Sequence, residues 1–167
     1  MKTIKLFVPL LAVGILAIVI FFFLDLEARA QSNEDIISGL SEGYKGVKWG
    51  VTKEEFLKIR PDVNLKGNSE DFLGYKVEIK YCFVKSTGVW AQFVVYPQTK
   101  SDWISIISEL EKTFPTTKEM ELKTMKVVSL DKGVINIFAT LLREEGSSKA
   151  NQIGIAKFSI DDSSGYE

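Results

Sequence analysis

Histidine does not occur in the 167-residue chain, and cysteine occurs once. Without an imidazole, Ser-His-Asp and Cys-His nucleophilic sites are excluded, and the commonest general base is missing. Zinc and copper sites, which lean on His and Cys, would have to be built from carboxylates instead. The lone Cys82 excludes an intrachain disulfide. It also stands far from the apolar N-terminal segment, where a lipid-bearing cysteine would have to be. With no histidine to draw off its proton, Cys82 reads as a small apolar strand residue. Neither sign of charge dominates, with 21 Lys and Arg against 22 Asp and Glu. A chain without a basic excess or a basic cluster leaves no electrostatic footprint for nucleic acid.

The phosphate-binding motifs are missing as well. In "GVKWGVTKEEF" (46–56), Gly50 is followed by Val51-Thr52 where a P-loop needs Lys-Ser/Thr, and no G-x-G-x-x-G occurs. "DVNLKGNSEDFL" resembles a calcium loop in Asp62, Asn64 and Gly67. It carries Lys66 at the fifth position and Leu73 at the twelfth, where a bidentate glutamate belongs. Nothing singles out a carboxylate pair for acid–base work. The expectation is a protein that is not an enzyme, with no cofactor and no metal; a carboxylate enzyme is the least favoured class.

What is present begins with an export segment. Lys2 and Lys5 precede an uncharged run, "LFVPLLAVGILAIVIFFFL" (6–24), followed by Asp25, Glu27 and "ARA" (28–30). Positive charge before the run and acid after it direct the remainder outward. The Ala-x-Ala spacing suits signal peptidase. The run is also long enough, at about 1.5 Å per helical residue, to approach a hydrocarbon core of about 30 Å. Residues 1–30 are therefore read as a signal peptide or an N-terminal membrane anchor. Either way the rest lies outside the cytoplasm, in the periplasm or at the cell exterior. Cleavage after Ala30 would leave 137 residues and move the net charge from −1 to −2.

The stretch around Gly50 is better explained as a corner. Val47 and Trp49 alternate with Lys45 and Lys48, which fits a short half-buried strand. Thr52 followed by Glu55 is a capping box, Val51 and Phe56 make a hydrophobic staple, and Pro61 ends the helix. Downstream, Tyr75, Val77, Ile79, Tyr81 and Phe83 alternate with charge, and "KSTG" turns into a second strand, "VWAQFVVY". "SDWISIISELEKTFP" is the clearest helix, with Ser101 as its expected N-cap and Trp103, Ile106, Ile107, Leu110 and Phe114 on one face. Three strands are expected at 123–130, 134–142 and 152–160, and a short leading helix near 36–40. The order β-α-β-β-α-β-β-β predicts an α+β two-layer sandwich, an antiparallel sheet with two helices on one face. Residues 31–160 form the single domain, and 161–167 a loose tail.

"GVKWGVTKEEFLKI" resembles a set of uncharacterised small exported bacterial proteins in which a Trp-Gly corner precedes a Thr/Ser-x-Glu-Glu helix. More distantly, Gly50 to Glu55 is similar to the helix start of the outer-membrane assembly lipoproteins that share a fold with beta-lactamase inhibitor protein. The likeness covers about a dozen residues, and this chain departs from it in lacking the lipid-bearing cysteine and in ending its helix with Arg60-Pro61. It implies an exported, non-enzymatic α+β module.

The functional expectation is a binding or adaptor protein of the bacterial envelope. Its partner would be another envelope protein or a second copy, with membrane contact only through an uncleaved N-terminal segment. The alternative is a carrier of a small apolar ligand held between sheet and helices, lined by Trp90, Tyr81 and Trp103. Pairing Cys82 with Ala91 and Lys80 with Phe93 places Val84, Val89, Ala91, Phe93 and Val95 on the outer sheet face. Those five are the expected partner surface.

Overall fold

The computed structural model describes residues 33–123, 125–142 and 151–157. The export segment and the tail expected at 161–167 lie outside them. The chain divides into two units, Met1–Asp35 and Ile36–Glu167. Of the first, 33–35 are described, as helix; every element from the first strand onward belongs to the second. No helix among the described residues is long and apolar enough to cross a membrane.

The elements are α1 (33–39), β1 (Gly43–Tyr44), β2 (Val47–Lys48), α2 (Lys53–Ile59), β3 (Asn68–Phe72), β4 (Tyr75–Phe83), β5 (Trp90–Pro97), α3 (Lys100–Glu111), β6 (Thr116–Glu121), β7 (Met125–Lys132), β8 (Ile135–Leu142) and β9 (Gln152–Lys157). β1 and β2 form a small hairpin. The other seven strands make one antiparallel sheet in the order β3-β4-β5-β9-β8-β7-β6. This is the mixed α and β composition expected; the described residues hold three helices, the two of the expected order and the short leading one, which lies at 33–39. The α3 crossover carries the chain from β5 to the far edge, and β6 to β9 then meander back until β9 docks on β5.

Three strands escape the expected order: β1, at two residues, is too short to show a period, and β3 and β6 each have their own physical reason. β3 reads Asn-Ser-Glu-Asp-Phe and turns Glu70 inward, so its alternation is not apolar against polar. β6 is exposed at all six positions and is a strand through its ladder with β7 alone. α3 begins earlier than expected, with Thr99 and not Ser101 as N-cap. The Thr99 hydroxyl accepts from the Asp102 N–H at 3.0 Å, and the Asp102 carboxylate accepts from the Thr99 N–H at 3.1 Å.

Two tight turns set the early registers. Lys45-Gly46 and Leu73-Gly74 both have positive φ at each residue (48° and 79°, 52° and 82°), the mirror-image turn that matches strand twist. Glycine takes the second position without a Cβ penalty, while Lys45 and Leu73 carry that cost.

The inner face of the sheet holds the core. Val77, Ile79, Tyr81 and Phe83 from β4 meet Trp90, Phe93 and Val95 from β5, and β7 to β9 continue the face with Leu130, Ile137 and Ile155. α3 lies against β5 and β8 and buries Trp103, Ile106, Ile107 and Leu110. The ring of Trp49 stacks on Trp90 at 4.3 Å, and Tyr44 stacks on Phe93 at 4.6 Å.

The β4–β5 register corrects the expected surface. Cys82 pairs with Gln92, Tyr81 with Phe93 and Lys80 with Val94, with an irregularity between Cys82 and Phe83. Because Phe83 still pairs with Trp90, Ala91 is an extra residue in β5. Side chains alternate with period two, so one inserted residue exchanges the faces of everything beyond it. Phe93 and Val95 therefore point into the core, at 0% exposure each, and not outward.

Candidate functional site: an uncovered sheet face and a buried carboxylate

The Gly50 corner is held by its own backbone. The Thr52 hydroxyl accepts from the Glu55 N–H at 3.3 Å, and the Glu55 carboxylate accepts from the Thr52 N–H at 3.0 Å. Gly50 donates to the Trp90 carbonyl and Trp90 to the Val51 carbonyl, at 2.9 and 2.8 Å. The Trp49 indole N–H donates to the Leu40 carbonyl at 2.7 Å. These bonds bind the corner to β5 and to Leu40, and Trp49 is its anchor.

Glu70 is a feature that pattern reading missed. Its register with Val77 aims it inward from an edge strand, where its side chain is 3% exposed. Tyr81 Oη donates to Oε1 at 2.6 Å and Asn68 Nδ2 at 2.9 Å, while Lys45 Nζ reaches Oε2 at 2.6 Å. The Arg60 guanidinium stands 3.4 Å from Oε1. Burial alone would raise the Glu70 pKa. Hydrogen bonds from Lys45, Tyr81 and Asn68 outweigh burial and hold the carboxyl below the usual range. Burial, then the hydrogen bond to Glu70, pushes the Tyr81 phenol far up. Tyr44 Oη and Arg60 Nη1 are buried polar atoms without a hydrogen-bond partner among the described residues. The cluster ties the β1–β2 hairpin, the end of α2, β3 and β4 into one knot. Its carboxylate is already neutralised by two cations, which fits it for holding structure and not for abstracting a proton.

The outer face of the sheet is divided into halves. On β3 and β4 it presents Asp71, Lys76, Glu78 and Lys80. On β6 to β8 it presents Met120 beside Val127, Met125 beside Leu142, and Phe138 beside Ser129. Leu122 donates its N–H to the Met125 carbonyl at 2.8 Å and extends the same row. Phe138 is 54% exposed, Leu122 44% and Met120 40%. Gly154 flanks Phe138 on β9, and the Gln92 side-chain amide occupies the space that a Cβ there would take. Both methionines other than Met1 belong to this patch.

The structure does not gather the five expected surface residues. Val84 is buried, Val89 and Ala91 are half-buried around the turn and the bulge, and Phe93 and Val95 are core. Tyr81 and Trp90 sit among other rings, and Trp103 is buried on α3. The Met120–Val127–Phe138 patch was readable only as alternation in β7 and β8; its position on one face depends on pairing that single strands do not reveal. No protein-family model matches the chain, and neither does any curated protein or solved structure.

Proposed function

We propose that the chain is a non-catalytic binding module of the bacterial envelope, outside the cytoplasm, that holds a partner protein on the apolar half of its outer sheet face. In this reading α2, α3 and the β1–β2 hairpin form one layer over the inner face, a two-layer sandwich whose second face is free for contact. The observation that carries it is Phe138, more than half exposed on β8, an interior strand of the seven-stranded sheet, with Val127 diagonal to it on β7 and Met120 next to Val127 on β6. Exposed apolar rows of this kind, rimmed by charge, are a common form of contact surface. Thioether side chains adapt their shape to a partner at little cost. The export segment supplies the location, and the small exported proteins that share the Trp-Gly corner are consistent with it.

A photo-crosslinking residue placed at Phe138 in the native envelope tests the proposal. A discrete adduct is expected there, with another protein or with a second copy, and none from the same probe at Lys76 on the charged half. Phe138→Asp should abolish binding of the identified partner while leaving the melting temperature within a few degrees. Equal adducts at both positions, or none at Phe138, would overturn it.

A further inference from the structure

The edge of β4 is a second site, independent of the outer-face reading. β3 pairs with β4 only as far as Asn68 opposite Ile79. Beyond that point the loop before β3 supplies one bond, from the Tyr81 N–H to the Leu65 carbonyl at 3.3 Å. Val84 donates to Val89 across the hairpin at 2.9 Å, which fixes the alternation: odd-numbered residues here turn their N–H and C=O away from β5. Phe83 therefore directs both backbone groups into the open edge. No other described residue pairs with them there.

That edge runs along a groove of about 450 Å³. Lys53 stands over it from the start of α2, Lys66 from the loop before β3, and Lys80 from β4 itself, with Leu65 and Cys82 between them. No acid lines the groove. None of the three lysines forms an ion pair with another described residue; Lys80 rests over the Tyr96 ring at 5.0 Å. Lys53 also sits in the first turn of α2, the end of a helix where a cation is disfavoured. Its placement there is a local cost that folding does not require.

We infer that this edge accepts an extended, acidic peptide segment of a partner protein as an added strand. The Tyr81 carbonyl and both backbone groups of Phe83 supply ladder bonds, and acidic side chains on the two faces of the added strand meet Lys53 on the helix side and Lys80 on the outer side. The same lysines repel a second copy of this edge, so the charge that blocks self-pairing also selects an acidic strand.

Fluorescence anisotropy with the purified full chain tests this, using a labelled, end-capped eight-residue peptide that alternates Glu with Val. Saturable binding is expected, weakened about tenfold by Lys53→Glu and again by Lys80→Glu, variants that should melt as the parent does. N-methylation of the peptide amides on one side of its backbone should weaken binding about fivefold per amide, while methylation on the other side leaves it unchanged. Raising salt from about 0.05 to about 0.5 M should weaken it further. Equal affinity for both methylated peptides would show attraction without strand addition and overturn the inference. So would equal affinity for a peptide with Lys in place of Glu, or full displacement by inorganic phosphate at millimolar concentration.

Discussion

Glu70 shows how one residue can serve the fold against its own preference for water. Its carboxylate stays charged because Lys45, Tyr81 and Asn68 supply what burial removes. Glu70→Gln keeps the shape but leaves Lys45 and Arg60 facing a neutral amide, and should cost about 2–3 kcal/mol in urea unfolding at neutral pH. The sign of the pH dependence is set by the lowered pKa. In acid the folded chain binds fewer protons at this site than the unfolded chain, whose carboxyl titrates near 4.3. The contribution of Glu70 is thus complete above that value and is lost as pH falls through the folded pKa. Unfolding curves for the parent and Glu70→Gln should converge in acid. Curves that stay parallel down to about pH 3 would mean that the carboxylate is not held below its ordinary value. Trp49 is a simpler case. Stacked on Trp90 and bonded to Leu40, its replacement by Ala should cost roughly 3–5 kcal/mol, read by thermal melting.

Among the elements, α2 was fully legible, because capping chemistry is local. Thr52, Glu55, Val51 and Phe56 sit at fixed offsets, and their roles can be assigned without knowing what the helix packs on. Thr52→Ala should accordingly cost about 1 kcal/mol. α3 was legible in its apolar face and misjudged by two residues at its cap, since Thr99 and Ser101 are both good cap residues and Asp102 decides between them by reaching back to Thr99. β3 and β6 were not legible at all. One hides a charge inside, and the other has no buried face. The β4–β5 hairpin was legible in content but not in register, because the bulge at Ala91 leaves no mark in the alternation of either strand. Deleting Ala91 would remove the bulge and leave Phe83 opposite Trp90, Cys82 opposite Gln92 and Tyr81 opposite Phe93 in regular alternation, so Phe93 and Val95 stay in the core. The deletion should therefore keep cooperative unfolding and near-ultraviolet circular dichroism; a variant that loses both would refute the reading of Ala91 as the extra residue.

At the scale of the whole molecule, β9 is the last of the described strands in sequence and yet lies at the centre of the sheet. It bonds to β5 through Gln92 to Val95 on one side and to β8 through Ile135 to Thr140 on the other. The two local meanders, β3 to β5 and β6 to β8, meet only through it within the sheet. Such pairing across long sequence separation forms late, after the loop-closure entropy of the α3 crossover has been met. Once formed, it makes the halves unfold together. The core supports this, since α3 packs on β5 from one half and β8 from the other. Native-state hydrogen exchange should therefore show β5, β8 and β9 amides opening with one shared free energy, equal to that of global unfolding. β6, exposed along its length, and β3, paired on one side only, should exchange by smaller, local openings. Phe138→Asp should leave this hierarchy unchanged because its ring contributes to the outer face and not to the core. Distinct plateaus for β4–β5 and β7–β8 would instead show two cooperative units, with β9 joining modules that each fold alone.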